Sequence, residues 1–128
     1  MGTHDWEAAV AARSNLLVEG DAADTEQFVR ELIPRLTGPV VPYPQDRSLP
    51  PGDAIVLVAN VDALPDGDQR DLMSALDDPT RRLQVVCTSA TPLFNRVERG
   101  EFLAALYYRL NMIRIALSAR GQVPDRQN

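Results

Sequence analysis

Ala54-Ile55-Val56-Leu57-Val58-Ala59 is the most hydrophobic stretch of the chain. Its β-branched content and short length predict a strand in the middle of a parallel sheet, buried on both faces. The same signal recurs on either side. Asn15-Leu16-Leu17-Val18-Glu19-Gly20 is an apolar run stopped by glycine, Leu83–Thr88 is another, and Met112–Leu117 is the last; Val40-Val41 adds a short candidate. Helical patterns separate these runs. From Thr25 to Leu36, the residues Phe28, Val29, Leu32, Ile33 and Leu36 fall on one face, with acidic residues at its start and Gly38 at its end. A helix over Gln69–Leu76 follows Pro65-Asp66-Gly67, with Asp66 as N-cap and Gln69 three residues on in the manner of a capping box. Further helical segments are predicted over Asp5–Arg13 (Trp6 and Val10 on the apolar side), Leu93–Arg99 and Glu101–Leu110. Five prolines between Pro39 and Pro51 make a stiff, extended connection. Strands alternating with helices predict an α/β domain of three layers, α/β/α, with a mainly parallel five-stranded sheet and right-handed crossovers. One domain is expected over residues 1–128, with its core at about 6–117 and a loose tail over 118–128.

Composition narrows the chemistry. The 128 residues carry 18 acids against 13 bases, a net charge of −5, and every base is arginine. An acidic chain without a basic stretch is a poor electrostatic match for nucleic acid. No segment approaches the roughly 18 apolar residues of a membrane span, and the N-terminus lacks the basic-then-apolar order of a secretory signal, so a cytoplasmic location is expected. The single cysteine, Cys87, cannot form an intramolecular disulfide and reads as a small buried hydrophobe. With His4 the only histidine, no zinc set can be assembled, and neither a metal nor another cofactor is expected. Asp62, Asp66, Asp68 and Asp71 form a loose acidic group whose spacing suits turns and helix caps rather than a calcium loop.

A strand ending at Gly20, then a turn, then a helix is where a phosphate-binding loop would sit. Such a loop needs glycines that let backbone N–H groups converge, a lysine for the β and γ phosphates, and a hydroxyl for magnesium. The turn here reads Gly20-Asp21-Ala22-Ala23-Asp24-Thr25-Glu26. One glycine remains, and carboxylates stand where positive charge is needed. Asp and Glu at a helix start are stabilising in their own right, by about 0.3–1 kcal/mol each.

The second half carries a more specific text. Glu98-Arg99-Gly100-Glu101-Phe102-Leu103-Ala104-Ala105-Leu106-Tyr107-Tyr108-Arg109-Leu110-Asn111 resembles the signature of sigma-54-dependent transcription activators, the bacterial enhancer-binding AAA+ ATPases. Val85–Leu93, Ala54–Pro65 and Leu16–Ile33 resemble that family's sensor strand, second nucleotide motif and phosphate-loop segment, in the same order. The resemblance implies a phosphate-loop AAA+-like core without the helical lid. Carried over position by position, it sets Glu26 at the phosphate-loop lysine, and Ala59 and Asn60 at the metal-binding aspartate and water-activating glutamate. Ala90 stands at the sensor asparagine and Leu103 at the first of two trans-acting arginines; the second is kept as Arg109. The sigma-contacting glycine–alanine–phenylalanine–threonine–glycine–alanine insertion has no counterpart, because Pro42–Pro51 runs almost directly into the next strand.

Phosphoryl transfer depends on positioned charge, so replacing lysine, metal ligand and polarising carboxylate together implies a domain that is not an ATPase. Arg109 reads either as a finger toward a neighbouring nucleotide or as a structural arginine beside the Tyr107-Tyr108 pair, which straddles the helix's buried and exposed sides. The favoured expectation is a regulatory module acting through protein–protein contact, with Arg109, Tyr107 and Tyr108 as candidate interaction residues. Its partner would be another protein, such as a full-length AAA+ relative or a second copy. The alternative is a sensor that binds nucleotide without hydrolysing it, against which Asp24 and Glu26 argue. A small enzyme of another class, built on Ser89 with Asp62 or on Cys87 with a carboxylate, has no supporting spacing.

Overall fold

The apolar runs line up side by side. In a computed structural model that describes residues 14–36, 38–43, 52–118 and 121–124, β1 (Leu16–Glu19), β2 (Val40–Tyr43), β3 (Gly52–Val58), β4 (Arg81–Ser89) and β5 (Ile113–Ser118) form a parallel sheet in the order β2-β3-β4-β1-β5. β6 (Gly121–Pro124) extends it antiparallel to β5, with Leu117 opposite Gln122. The five expected parallel strands are therefore present. The expectation of a loose tail from Ser118 is corrected over 121–124, where backbone pairing with the β5 edge continues the sheet. The helix expected over Asp5–Arg13, and residues 44–51 of the proline-rich connection, lie outside the described residues.

Alternation along each strand sends side chains into two cores. Leu16, Val18, Ile55, Val86 and Ile115 face one side, under Phe28 and Leu32 of helix α1 (Ala22–Leu32). Leu17, Val56, Val58, Val85 and Cys87 face the other, under helices α2 (Asp66–Asp77), α3 (Leu93–Glu98) and α4 (Ala104–Leu110). The β3-to-β4 and β4-to-β5 connections run the same way along the sheet and share a face, whereas β1-to-β2 runs back and takes the opposite one. Crossovers of a single hand require this arrangement. Among the described residues no helix is long and apolar enough to cross a membrane.

Several helix boundaries differ from those predicted. α1 begins at Ala22 rather than Thr25, because the Asp21 carboxylate caps it by accepting from the Asp24 N–H at 3.0 Å. It ends at Leu32, since Pro34 has no N–H to continue the ladder, and a 3₁₀ turn over Ile33–Arg35 follows. For α2 the N-cap is Pro65, not Asp66, and no side chain caps the helix, so the expected capping box does not form. α4 starts at Ala104, after a bend through Glu101 and Phe102.

Candidate functional site

The carboxyl ends of β1, β3 and β4 come together where ligands bind in open parallel sheets. At the end of β1 only Gly20 and Asp21 separate strand from helix. Gly20 donates its N–H to the Ser89 carbonyl at 3.0 Å. Ala22, Ala23, Asp24, Thr25 and Glu26 all lie within α1, so the positions read as a turn are helical. The N–H groups of Asp24 and Thr25 are directed to the Asp21 carboxylate and carbonyl, both at 3.0 Å. Thr25 is buried, with its hydroxyl donating to the Ala22 carbonyl at 3.2 Å, while Glu26 is exposed.

Gly20 has a packing reason to be glycine. A Cβ there would lie 2.9 Å from Leu117 Cβ and 3.4 Å from the Leu117 carbonyl oxygen, so β5 would have to shift. Gly20→Ala is expected to destabilise the fold by about 1–3 kcal/mol, the usual range for overpacking. Urea denaturation measures this; an unchanged midpoint would show that β5 gives way freely and that packing does not fix this glycine.

One residue earlier, Glu19 is a buried carboxylate at the end of a central strand. Its Oε1 accepts from Arg114 Nε at 2.7 Å and its Oε2 from the Leu93 N–H at 2.9 Å. The sequence offered no signal for this pairing, whose partners are separated by most of the chain.

At the end of β3, Ala59 and Asn60 are exposed. Asn60 adopts the left-handed conformation, φ 56° and ψ 52°, which asparagine tolerates better than most residues, and its N–H donates to Thr88 Oγ1 at 3.0 Å. Across from it Ala90 is exposed. Asp62 is buried, with Oδ2 accepting from the Thr91 hydroxyl at 3.5 Å and Oδ1 unpartnered. The Ser89 hydroxyl donates to the Thr91 carbonyl instead of meeting Asp62. Burial, and secondarily the charge of Glu19, push the Cys87 thiol far above the ordinary thiol range. The four aspartates separate into two buried, Asp62 and Asp68, and two exposed, Asp66 and Asp71; no group of three or more potential metal ligands occurs among the described residues.

The candidate interaction residues occupy α4. Arg109 reaches the carboxyl end of α2, where Nη1 donates to the Asp77 carboxylate and Nη2 to the Leu76 carbonyl at 2.9 Å. It thereby satisfies an end-of-helix carbonyl and ties two helices together. Tyr107 is buried, its hydroxyl accepting from Asn111 Nδ2 at 3.0 Å, and burial raises its phenol above the ordinary value. Tyr108 is 65% exposed. The Tyr107 ring lies 5.3 Å from Tyr108 and 5.6 Å from Phe94, which is 41% exposed. Sequence reasoning overlooked Phe94, whose position in a short amphipathic helix suggests core; only the tertiary contact with Tyr107 reveals an aromatic surface.

No curated protein gives a significant match. Among solved structures, NtrX from Brucella abortus in complex with ADP superposes with a TM-score of 0.72 at 16% identity, covering 91% of this chain and 34% of that one. NtrX bound to ATP gives 0.71 at 17% identity, covering 88% and 35%. The P-loop NTPase domain of the sigma-54 transport activator from E. coli gives 0.62 at 15% identity, covering 89% of this chain and 92% of that one. The chain thus spans about a third of the NtrX chains and nearly all of the isolated domain. At these identities the likeness shows a shared fold. A family model, the sigma-54 interaction domain, matches residues 12–119, and with the strand order and the α4 motif it establishes that this chain belongs to the sigma-54 interaction domain family.

Proposed function

We propose that this domain is a regulatory module that works through protein–protein contact and does not hydrolyse nucleotide. The observation that carries the reading is the junction of β1 and α1. Two residues join strand to helix, and the N–H groups of Asp24 and Thr25 are already taken by Asp21. A phosphate group brought there would meet the carboxylates of Asp21 and Asp24 instead of a cradle of free amides and a lysine. Ala59, Asn60, Ala90 and Leu103 supply no metal ligand, polarising carboxylate, sensor amide or arginine finger. Arg109, kept from the motif, is engaged with α2.

What could meet a partner is the aromatic surface of Phe94 and Tyr108 backed by Tyr107. Exposed aromatic side chains supported by a buried ring are the kind of anchor that dominates interfaces. The test has two arms. ATP turnover should equal the buffer blank, and calorimetry with millimolar ATP or ADP should give no binding heat. Self-association in the ultracentrifuge, or capture of a protein from native lysate, should be lost in Phe94→Ser/Tyr108→Ser with thermal stability retained. Turnover above the blank overturns the reading, as does the absence of any association that this variant abolishes. NtrX has been solved with ADP and with ATP, so the same calorimetry also decides the nucleotide-sensor alternative.

A further inference from the structure

A cavity of about 420 Å³ lies between α1 and the carboxyl-terminal halves of β2, β3 and β4. It arises from how α1 is seated. Phe28 and Leu32 pack the helix onto Leu16, Val18, Ile55, Val86 and Ile115 of the sheet. Val29 and Ile33, one step around the helix, line the cavity with Leu57 and Val86, and Ile33 remains 38% exposed. The volume is in the range of small-molecule pockets, about 300–1,000 Å³, and the place, at the carboxyl edge of a parallel sheet, is the usual one.

The polar groups of the lining come in two kinds. Glu26 brings a carboxylate, and beside it Thr25 Oγ1, already donating to the Ala22 carbonyl, has only acceptor capacity left. Arg30 brings a guanidinium, and Thr88 Oγ1, already accepting from the Asn60 N–H, keeps its proton to donate. The lining therefore carries one acidic and one basic side chain, Glu26 and Arg30, one helical turn apart on α1 above an apolar floor. A polyanion such as a nucleotide triphosphate finds a single guanidinium, opposed by Glu26.

We propose that this cleft binds a small zwitterion with an apolar body, the chemistry of a branched-chain or aromatic α-amino acid. The ammonium meets Glu26 and Thr25, the carboxylate meets Arg30 and Thr88, and the side chain lies against Val29, Ile33 and Leu57. The site is separate from the aromatic surface of Phe94 and Tyr108 and does not depend on the interaction reading.

Calorimetry on the full chain with L-leucine and L-phenylalanine tests it, beside phenethylamine without the carboxylate, 3-phenylpropanoate without the ammonium, and glycine without the apolar body. At least one of the two amino acids is expected to bind with Kd below about 1 mM, and each truncated probe at least about tenfold more weakly. Glu26→Gln and Arg30→Gln change exposed side chains, so thermal stability is expected to hold while affinity falls about tenfold in each. Phe94→Ser/Tyr108→Ser should bind as the native chain does. Absence of binding by both amino acids at about 10 mM overturns the site. Equal binding of 3-phenylpropanoate, or unchanged affinity in both α1 variants, overturns the zwitterion. Displacement of the amino acid by ATP would reassign the cleft to nucleotide.

Discussion

Replacing Glu19 by alanine is expected to lower the unfolding free energy by about 3 kcal/mol, the low end of the range for breaking a buried ion pair. The carboxylate is 5% exposed and both oxygens are occupied, one by Arg114 Nε at 2.7 Å and the other by the Leu93 N–H at 2.9 Å. Truncation removes the acceptor from a buried amide at the start of α3, which alone costs about 1–3 kcal/mol. It also takes from Arg114 a charged partner, although that side chain is 31% exposed and regains some hydration, which keeps the estimate low. Glu19→Gln separates the two contributions. Its amide oxygen still accepts from the Leu93 N–H, but its NH2 then faces the Arg114 guanidinium donor against donor. It should therefore be milder than alanine only by the retained Leu93 bond, about 1 kcal/mol. Urea denaturation of the two variants beside the native chain measures both. An alanine variant within about 0.5 kcal/mol of native stability would mean that solvent replaces the carboxylate there, contrary to its burial.

The stability of this pair has a functional side. Glu19 stands immediately before Gly20, at the carboxyl edge of a central strand, the place where related folds gather positive charge for phosphate. Here a buried carboxylate holds the amide that opens α3 and the guanidinium of β5 together.

Much of the fold could be read from local pattern. β1, β3, β4 and β5 are short apolar runs closed by glycine or by turn residues, and a strand buried on both faces leaves little else for such a run to be. The helices were found but misplaced at their ends. The acidic residues from Asp21 to Glu26 marked a helix start without fixing which residue caps it, and the apolar periodicity continued through Pro34 although the hydrogen-bond ladder could not. The site was less legible, because its determinants are long-range. Glu19 looks like the polar end of a strand until Arg114 is brought beside it. Phe94 looks like core until Tyr107 is seen supporting it from below. Arg109 fits a finger or a brace equally well until α2 ends within its reach.

Gln69 shows the same division most sharply, and its replacement by leucine carries the second large expected effect. From sequence it completes a capping box with Asp66, a surface role whose loss costs about 1 kcal/mol. In the fold it is 1% exposed and turned inward. Its Nε2 donates to the Leu64 carbonyl at 2.9 Å and to the Glu101 carbonyl at 3.3 Å, while its Oε1 accepts from the Leu103 N–H at 2.8 Å. One amide thus joins the segment leading into α2 to the bend leading into α4. Leucine matches its size and suits a helix, so packing and propensity change little. What changes is that three backbone groups lose a partner in a place with little access to water. At about 1–3 kcal/mol for a buried group left unsatisfied, and with relaxation of the Glu101 bend sparing part of it, a total of about 3 kcal/mol is expected. A second consequence follows from position. Leu103 caps α4, so losing its N–H bond should loosen the helix that carries Tyr107 and Tyr108. Hydrogen exchange of the Leu103 amide and the α4 amides should therefore accelerate in Gln69→Leu more than that of the β1 and β4 amides. A variant that melts with native stability and unchanged exchange in α4 would return Gln69 to the helix surface, where the sequence alone had placed it.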